Sequence, residues 1–292
     1  MNILTFDIEE WYIEKMYRGG HAEKYREFDN HLCRILALLE MLQTRATFFC
    51  VGKLATDFPQ VVKLIASKGH EVGCHSNTHQ WLNKMTQQEA LEDTRTAIDA
   101  LEQCLGKKVV SYRAPAFSIG EQNKWAFEVL AECGIERDAS VFPASRDFGG
   151  FPQFGSHEPT LVTYQGVTIK EFPIPTMRLL GKELAYSGGG YFRFFPLWLI
   201  RSRIKDSAYN MCYFHIGDLL EGEHKLKTKA EYEEYYREPG TLLNRYKRYI
   251  KSNLGHHGVF EKMERLISSG DFLGLEDAVG MIEWSKVPKY QL

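Results

Sequence analysis

The sequence lacks several features that would point to particular classes of protein. It has no apolar run long enough to cross a bilayer, so no transmembrane segment is expected. Its formal net charge is only −2, so nucleic acid is not an expected partner. The N-terminus enters an apolar run without a basic region or cleavage site, which argues against a secretory signal. The six cysteines have no paired spacing, and this pattern predicts a cytoplasmic location.

What the chain does contain is enough apolar material for a large core. It has 292 residues and 44% hydrophobic composition. Apolar strand-like runs alternate with segments of helical period, which predicts a parallel sheet. We predict strands at residues 3–6, 46–52, 71–74, 109–113, 135–141, 167–172 and 211–214. We expect a single domain over residues 1–292, with a long insertion over the active face at residues 146–175, where periodicity is weak.

Chemically reactive side chains follow several of the predicted strands. They are Asp7, Glu9, His75, His79, Arg113 and His215. In a (β/α) barrel the carboxyl ends of all strands converge on one face, whereas a doubly wound sheet joins only those beside its switch point. The distribution therefore favours an α/β fold of the barrel type.

The paired histidines His75 and His79 are the clearest metal signal. Either one alone could be an ordinary loop residue, but their spacing after a strand favours a shared ion. A catalytic zinc typically takes three protein ligands. Asp7 and Glu9 supply two carboxylates, one to hold the metal and one to take a proton from water.

These motifs resemble those of the polysaccharide deacetylases, carbohydrate esterase family four. The resemblance covers residues 4 to about 253 and implies a distorted seven- or eight-stranded (β/α) barrel with one divalent metal. The family's first motif is Thr-Phe-Asp-Asp, and this sequence departs from it because Ile8 occupies the usual ligand position. It is closer to a branch with an Asp-x-Glu first motif that is associated with bacterial exopolysaccharide or surface-glycan genes.

The resemblance assigns the metal and the base. Glu9, His75 and His79 hold the ion, for which zinc is the first expectation and cobalt or nickel are alternatives. Asp7 is the base. The reverse assignment of Asp7 and Glu9 stays open, because Ile8 breaks the usual pattern.

The remaining roles also come from the resemblance. Arg113, in an Arg-x-Pro motif, pairs with the catalytic carboxylate, and the backbone N–H of Ala116 is the oxyanion donor. His215 protonates the leaving amine. Asp138 tunes that histidine, with a surface turn residue as an equal alternative. Residues 216–218 depart from the Pro-Trp-Glu of the closer branch.

Three consecutive glycines at residues 188–190 belong to a stretch similar to the same branch. Phosphate cradling would require a Lys-Ser/Thr pair after them, which is absent. A tight loop that lets a sugar approach the backbone is the preferred interpretation.

The sequence thus predicts a metal-dependent hydrolase that removes an acetyl group from an N-acetylated sugar, such as a lipid- or nucleotide-linked glycan precursor. Two alternatives remain open. One is a deformylase or cyclic-amide hydrolase of the same fold, and the other is a catalytically silent glycan-binding barrel. The sequence identifies neither the sugar nor the oligomeric state.

Overall fold

The structure, a computed structural model, describes residues 1–146, 149–220 and 225–292. Its strands are β1 (Asn2–Ile8), β2 (Thr47–Cys50), β3 (Glu71–Cys74), β4 (Ser111–Tyr112), β5 (Arg137–Asp138), β6 (Thr160–Tyr164), β7 (Val167–Glu171), β8 (Thr176–Leu179), β9 (Lys182–Ala185), β10 (Asn210–His215) and β11 (Lys289–Gln291). Its α-helices are α1 (Glu10–Tyr17), α2 (Ala22–Met41), α3 (Gly52–Asp57), α4 (Pro59–Ser67), α5 (Gln87–Leu105), α6 (Ala126–Glu132), α7 (Gly189–Phe194), α8 (Leu197–Asp206), α9 (Ile216–Leu219), α10 (Lys229–Tyr236), α11 (Leu242–Asn253), α12 (Val259–Ile267) and α13 (Leu275–Met281).

Nine strands form one sheet in the order β10-β1-β2-β3-β4-β5-β7-β6-β11. The first seven in that order are parallel, and they are the seven strands that the sequence predicted. β6 runs antiparallel to β7, and β11 pairs parallel with β6. β8 and β9 form a separate hairpin. The predicted α/β class with a largely parallel sheet is confirmed.

The sheet curves so that its inner face encloses side chains from distant strands. Within β1, Leu4 and Phe6 pack in the outer core with α2, whereas Ile3 packs in the inner one, as the two-residue period of a strand requires. Arg113, just after β4, reaches Met211 in β10 with 3.0 Å between Nη2 and Sδ, although three strands separate β4 from β10. This contact requires a curled sheet, which agrees with the predicted distorted barrel and not with an open doubly wound sheet.

Helices cover the outer face and fix the positions of the strand ends. α2 buries leucines and an isoleucine at helical spacing against the sheet. α5 begins at Thr86 with the predicted capping box, in which Glu89 accepts a hydrogen bond from the Thr86 N–H at 2.7 Å. It ends at Gly106, whose φ of +68° is the left-handed conformation that glycine adopts readily.

Segment 146–175 lies partly within the sheet, since it supplies β6 and β7. Among its described residues, Arg146 alone lines the central cavity. The single-domain organisation and the insertion over the active face remain predictions. Across the described ranges, no helix has the length and apolar character needed to cross a membrane.

Candidate active site

A cavity of about 660 Å³ lies at the carboxyl ends of the parallel strands. The residues predicted for the site that line it are Asp7, Glu9, His79, Ala116 and His215. His75 and Arg113 lie directly behind the wall, with 1% and 0% of their surfaces exposed. The barrel geometry therefore brings side chains from β1, β3, β4 and β10 to one place, as convergence of strand ends requires.

Three side chains form a cluster that could hold a metal ion. One potential ligand atom each from Glu9, His75 and His79 lies within 4.8 Å of the other two. Glu9 Oε2 is 3.6 Å from His75 Nε2 and in closer contact with His79 Nε2. These are the three residues that the sequence predicted as ligands, and the structure brings them together.

The chemical state of this cluster fits a divalent cation. His75 Nδ1 lies 2.7 Å from the carbonyl oxygen of Arg113, which can only accept, so Nδ1 carries a proton and Nε2 is the nitrogen turned towards Glu9. Burial raises the pKa of Glu9, but the charge of His79 and contacts with both imidazoles hold that pKa well below its usual value. Glu9 Oε2 is buried without a regular hydrogen bond in the described part of the chain. A cation would satisfy that oxygen and both ring nitrogens.

The loop that carries the two histidines is held in an unusual conformation. Ser76 and His79 have φ values of +59° and +55°, a region that side chains other than glycine seldom adopt. Asp93 of α5 accepts hydrogen bonds from the loop, at 2.8 Å from the Asn77 N–H and at 3.2 Å from Thr78 Oγ1. These bonds from a rigid helix fix the direction of the imidazoles.

The carboxylate of Asp7 forms an ion pair with Arg113 on its side away from the cavity. Arg113 Nη1 donates to Asp7 Oδ1 at 2.8 Å and to Thr5 Oγ1 at the same distance, and both charged residues are buried. Arg113 also lies 4.3 Å from the centre of the Phe49 ring. The pairing occupies one oxygen of Asp7, which leaves Oδ2 to face the cavity.

His215 lies opposite Asp7, with 3.6 Å between Nε2 and Asp7 Oδ2. Its Nδ1 is 2.8 Å from Asp218 Oδ2. Burial lowers the pKa of His215, but the hydrogen bond to Asp218 and the negative charges of Glu9, Asp218 and Asp7 outweigh it and raise the pKa to about 10. The imidazole is therefore protonated at neutral pH, with Nε2 directed towards Asp7.

Asp138 does not contact His215, contrary to the role predicted for it. Its Oδ1 accepts from Ser140 Oγ at 2.5 Å, and Ser140 Oγ accepts in turn from the Ala114 N–H at 2.7 Å. Asp138 is the β-sheet partner of Glu171, with which it forms a buried carboxyl pair. Burial raises the pKa of Asp138 to about 6. Its position in β5 supports the backbone before Ala116, and the carboxylate beside His215 is Asp218.

Ala116, the predicted oxyanion donor, lies in a short 3-10 turn at Pro115–Phe117 and lines the cavity. Its φ is +55°, an uncommon value for alanine. Gly149 packs against this turn so closely that a Cβ there would lie 2.6 Å from the Ala116 carbonyl oxygen. The turn is held by close packing, which would keep the backbone N–H groups of the turn in fixed directions.

Sequence reasoning missed Glu10 and Asp218. Glu10 Oε1 accepts a short hydrogen bond from the Gly217 N–H, which ties the start of α1 to the segment after His215. Burial and the neighbouring charge of Glu9 raise the pKa of Glu10 to about 7. The spacing of His215 and Asp218 at i and i+3 was a local signal for their contact, whereas the bond that Glu10 accepts from Gly217 depends on the pairing of β1 with β10.

The glycines at 188–190 serve packing as well as the cavity. A Cβ at Gly188 would lie 2.2 Å from the Tyr213 ring, so the backbone can rest on this aromatic ring only with glycine. Gly189 and Gly190 line the cavity at the start of α7. The close backbone contact in this loop is therefore between Gly188 and the Tyr213 ring. A sugar contact remains a prediction for Gly189 and Gly190, which line the cavity.

Comparison with known proteins gives two adjacent family matches. A family model described as polysaccharide deacetylase matches residues 3–137, and one described as a domain of unknown function, DUF3473, matches residues 139–279. An uncharacterized Bacillus subtilis protein, YlxY, is 31% identical over 126 residues, 41% of this chain and 39% of that protein. A peptidoglycan-N-acetylglucosamine deacetylase of Bacillus cereus is 35% identical over 96 residues, 32% of this chain and 35% of that enzyme. The chain therefore spans well under half the length of these curated relatives.

Solved structures that resemble the whole chain include one with a higher superposition score than most. It is a Mycobacterium smegmatis protein assigned to the polysaccharide deacetylases, and it superposes with a TM-score of 0.64 at 17% sequence identity. The alignment covers 100% of this chain and 92% of that protein. A likeness at this level of identity concerns the fold, and it confirms the predicted barrel type.

Proposed function

Because residues 3–137 of this chain belong to the polysaccharide deacetylase family, we propose that the protein is a metal-dependent hydrolase that removes the acetyl group from an N-acetylated sugar. The observation that carries this proposal is the arrangement around one cavity. A cluster suited to a cation lies beside Asp7 and His215, which face each other at 3.6 Å. In a metal-dependent amide hydrolase, a cation, a general base and a general acid act together on the attacking water and the leaving nitrogen.

Glu9, His75 and His79 are the residues that would hold the ion, and zinc suits two imidazoles and a carboxylate. Zinc supplies Lewis-acid polarisation and a water of lowered pKa when it is bound. The protonated Nδ1 of His75, fixed by the Arg113 carbonyl, keeps the ligand nitrogen directed at the ion. Cobalt or nickel would be accepted by the same donor set.

Asp7 acts as the general base through Oδ2. Because Arg113 holds Oδ1 at 2.8 Å, the carboxylate keeps a fixed orientation, and Oδ2 is available to accept a proton from the attacking water. The water oxygen then forms a bond to the acetyl carbon. The Ala116 N–H would donate to the oxygen of the resulting tetrahedral intermediate.

His215 acts as the general acid through Nε2. Its raised pKa keeps it protonated at neutral pH, and its proton goes to the sugar nitrogen as the carbon–nitrogen bond breaks. The products are acetate and the free amine of the sugar. The base and the acid can share one substrate because Asp7 Oδ2 and His215 Nε2 face the same space.

We further propose that the sugar belongs to an anionic substrate, such as a lipid- or nucleotide-linked glycan. Basic side chains are present at the cavity wall, namely Arg18, Arg146, Arg193, Arg248 and Lys251. A phosphate attached to the glycan would be attracted to this wall. Aromatic rings of Trp81, Tyr235 and Tyr236 line the same cavity and offer stacking surfaces for sugar rings.

Acetate release from N-acetylated oligosaccharides, sugar nucleotides and lipid-linked glycans tests the function. Protein loaded with zinc should release acetate from at least one of them. His75→Ala should lose both bound metal and activity, because two ligands hold the ion too weakly. If metal-loaded protein binds a glycan of this panel but releases neither acetate nor formate, the protein is a silent binding barrel and the proposal fails.

A further inference from the structure

Helix α11 presents its apolar side chains to solvent. None of its residues is buried. Four large apolar residues lie on one side at helical spacing, with exposed fractions of 62% for Leu242, 71% for Leu243, 47% for Tyr246 and 59% for Ile250. Leu254, directly after the helix, is 50% exposed and continues this surface. We call these five residues the apolar stripe.

The polar side of α11 faces the rest of the protein instead. Arg245 Nε donates to the Lys227 carbonyl at 2.7 Å, and Arg248 lies 5.3 Å from the Tyr236 ring centre. A helix on the surface of a globular domain ordinarily turns its apolar side to the core. Because α11 is oriented the other way, its apolar surface is exposed to solvent. An exposed apolar surface of this kind indicates an interaction site for a protein or a membrane.

The charge of α11 indicates what kind of partner binds its apolar side. The helix contains four basic residues and no acidic one, and the basic residues are Arg245, Lys247, Arg248 and Lys251. Lys247 and Lys251 are exposed and lie along one margin of the apolar stripe. Glu238 lies in the same hollow as these lysines. An apolar stripe bordered by lysines is typical of a helix that lies in the interface of an anionic membrane.

The stripe is continuous with the mouth of the catalytic cavity. Leu254 lines that cavity, and so does Phe194, which is 64% exposed. Arg193 donates to the Lys251 carbonyl at 3.1 Å, so the end of α7 is attached to the end of α11. A membrane that covers the stripe would therefore lie against the cavity mouth.

We propose that α11 docks this protein on an anionic membrane surface, with the apolar stripe among the lipid headgroups and the two lysines towards their phosphates. A symmetric contact between two copies would place Lys247 and Lys251 close to their own counterparts, a repulsive arrangement. The charge therefore favours a lipid surface over a second copy. This docking is independent of the proposed deacetylation.

Sedimentation of the full chain with lipid vesicles tests the proposal. The protein should bind vesicles of phosphatidylcholine with phosphatidylglycerol much more tightly than vesicles of phosphatidylcholine alone, and added salt should weaken the binding. Leu243→Ser and Ile250→Ser should each weaken it roughly tenfold or more, because each removes a buried aliphatic side chain. Lys247→Gln should weaken it about fivefold.

Met41→Ser is the matched control, because Met41 is 70% exposed at the end of α2 and does not belong to the stripe. It should bind as the wild type does, and circular dichroism should show all variants folded. Absence of binding to the anionic vesicles, or binding that survives Leu243→Ser and Ile250→Ser, overturns the proposal. So does a concentration-dependent dimer that Leu243→Ser abolishes, since it would identify a second copy as the occupant.

Discussion

Replacing Asp218 with asparagine should lower the pKa of His215. Asp218 Oδ2 lies 2.8 Å from His215 Nδ1, and this contact contributes to the raised pKa of about 10. Asparagine keeps the shape and an oxygen acceptor but removes the negative charge. Burial lowers the pKa of the imidazole, and without the Asp218 charge fewer interactions raise it.

The size of the effect follows from the contact. The two side chains are 27% and 16% exposed, so solvent screens the pair only partly. A hydrogen bond to a charged group contributes about 1.5–3 kcal/mol, and one pKa unit corresponds to about 1.36 kcal/mol. We therefore expect the pKa of His215 to fall by about one to two units in Asp218→Asn. The alkaline limb of kcat/KM should move to lower pH, because His215 must be protonated to act as the acid.

Nuclear magnetic resonance titration of the His215 ring in metal-free protein measures this pKa without any assay of activity. Asp138→Asn is the matched control, because Asp138 bonds to Ser140 and not to the imidazole. It should leave the His215 titration unchanged. An unchanged pKa in Asp218→Asn, or an equal fall in Asp138→Asn, would refute the assignment of Asp218 as the partner.

Three further predictions concern the base, the acid and the buried ion pair. Asp7→Asn should keep the metal and lose turnover while Glu9→Gln loses the metal, as measured by elemental analysis; exchanged results would reverse the two roles. His215→Ala should slow hydrolysis of an N-acetyl sugar roughly 10²–10⁴-fold and spare an activated aryl acetate, whose leaving group needs no proton; equal losses would remove His215 as the acid. Arg113→Met should lower the free energy of unfolding by about 3–5 kcal/mol, since it strands the buried Asp7 carboxylate. Arg95→Met, at an ion pair more than half exposed, should cost less than about 1 kcal/mol in the same denaturant titration.

The parallel strands of the barrel could be predicted because their signal is local. Each is a short apolar or alternating run, and the helices between them keep a helical period. β11 could not be predicted in this way. Its exposed residues pair with β6, where Lys289 is the partner of Leu161, more than a hundred positions away in sequence. Such pairing depends on the completed fold and leaves little local pattern.

The cluster of Glu9, His75 and His79 was predicted in two steps. The spacing of the two histidines and the convergence of strand ends in a barrel indicated a shared ion, and the family resemblance assigned Glu9 as the third ligand. The backbone that aims these side chains could not be predicted. Ser76 and His79 have positive φ values, and the residues between them donate hydrogen bonds to Asp93, a residue of the following helix that no motif singled out.

The predicted partner of His215, Asp138, is not the carboxylate that contacts this histidine. The role of Asp138 came from the family resemblance, which does not say which carboxylate of this chain reaches the imidazole. In the structure α9 begins directly after His215, so Asp218 lies one turn along on the same side.

Positively and negatively charged side chains alternate from the inside of the barrel to its rim. The proposed base and the proposed acid are therefore oriented by different charged partners. Arg113 holds Asp7 at 2.8 Å from within, and Asp218 holds His215 at 2.8 Å from the rim. Arg193 is 3.3 Å from Asp218 and donates to the carbonyls at the end of α11. The base is thus oriented by the buried core, whereas the acid is oriented by residues attached to α11.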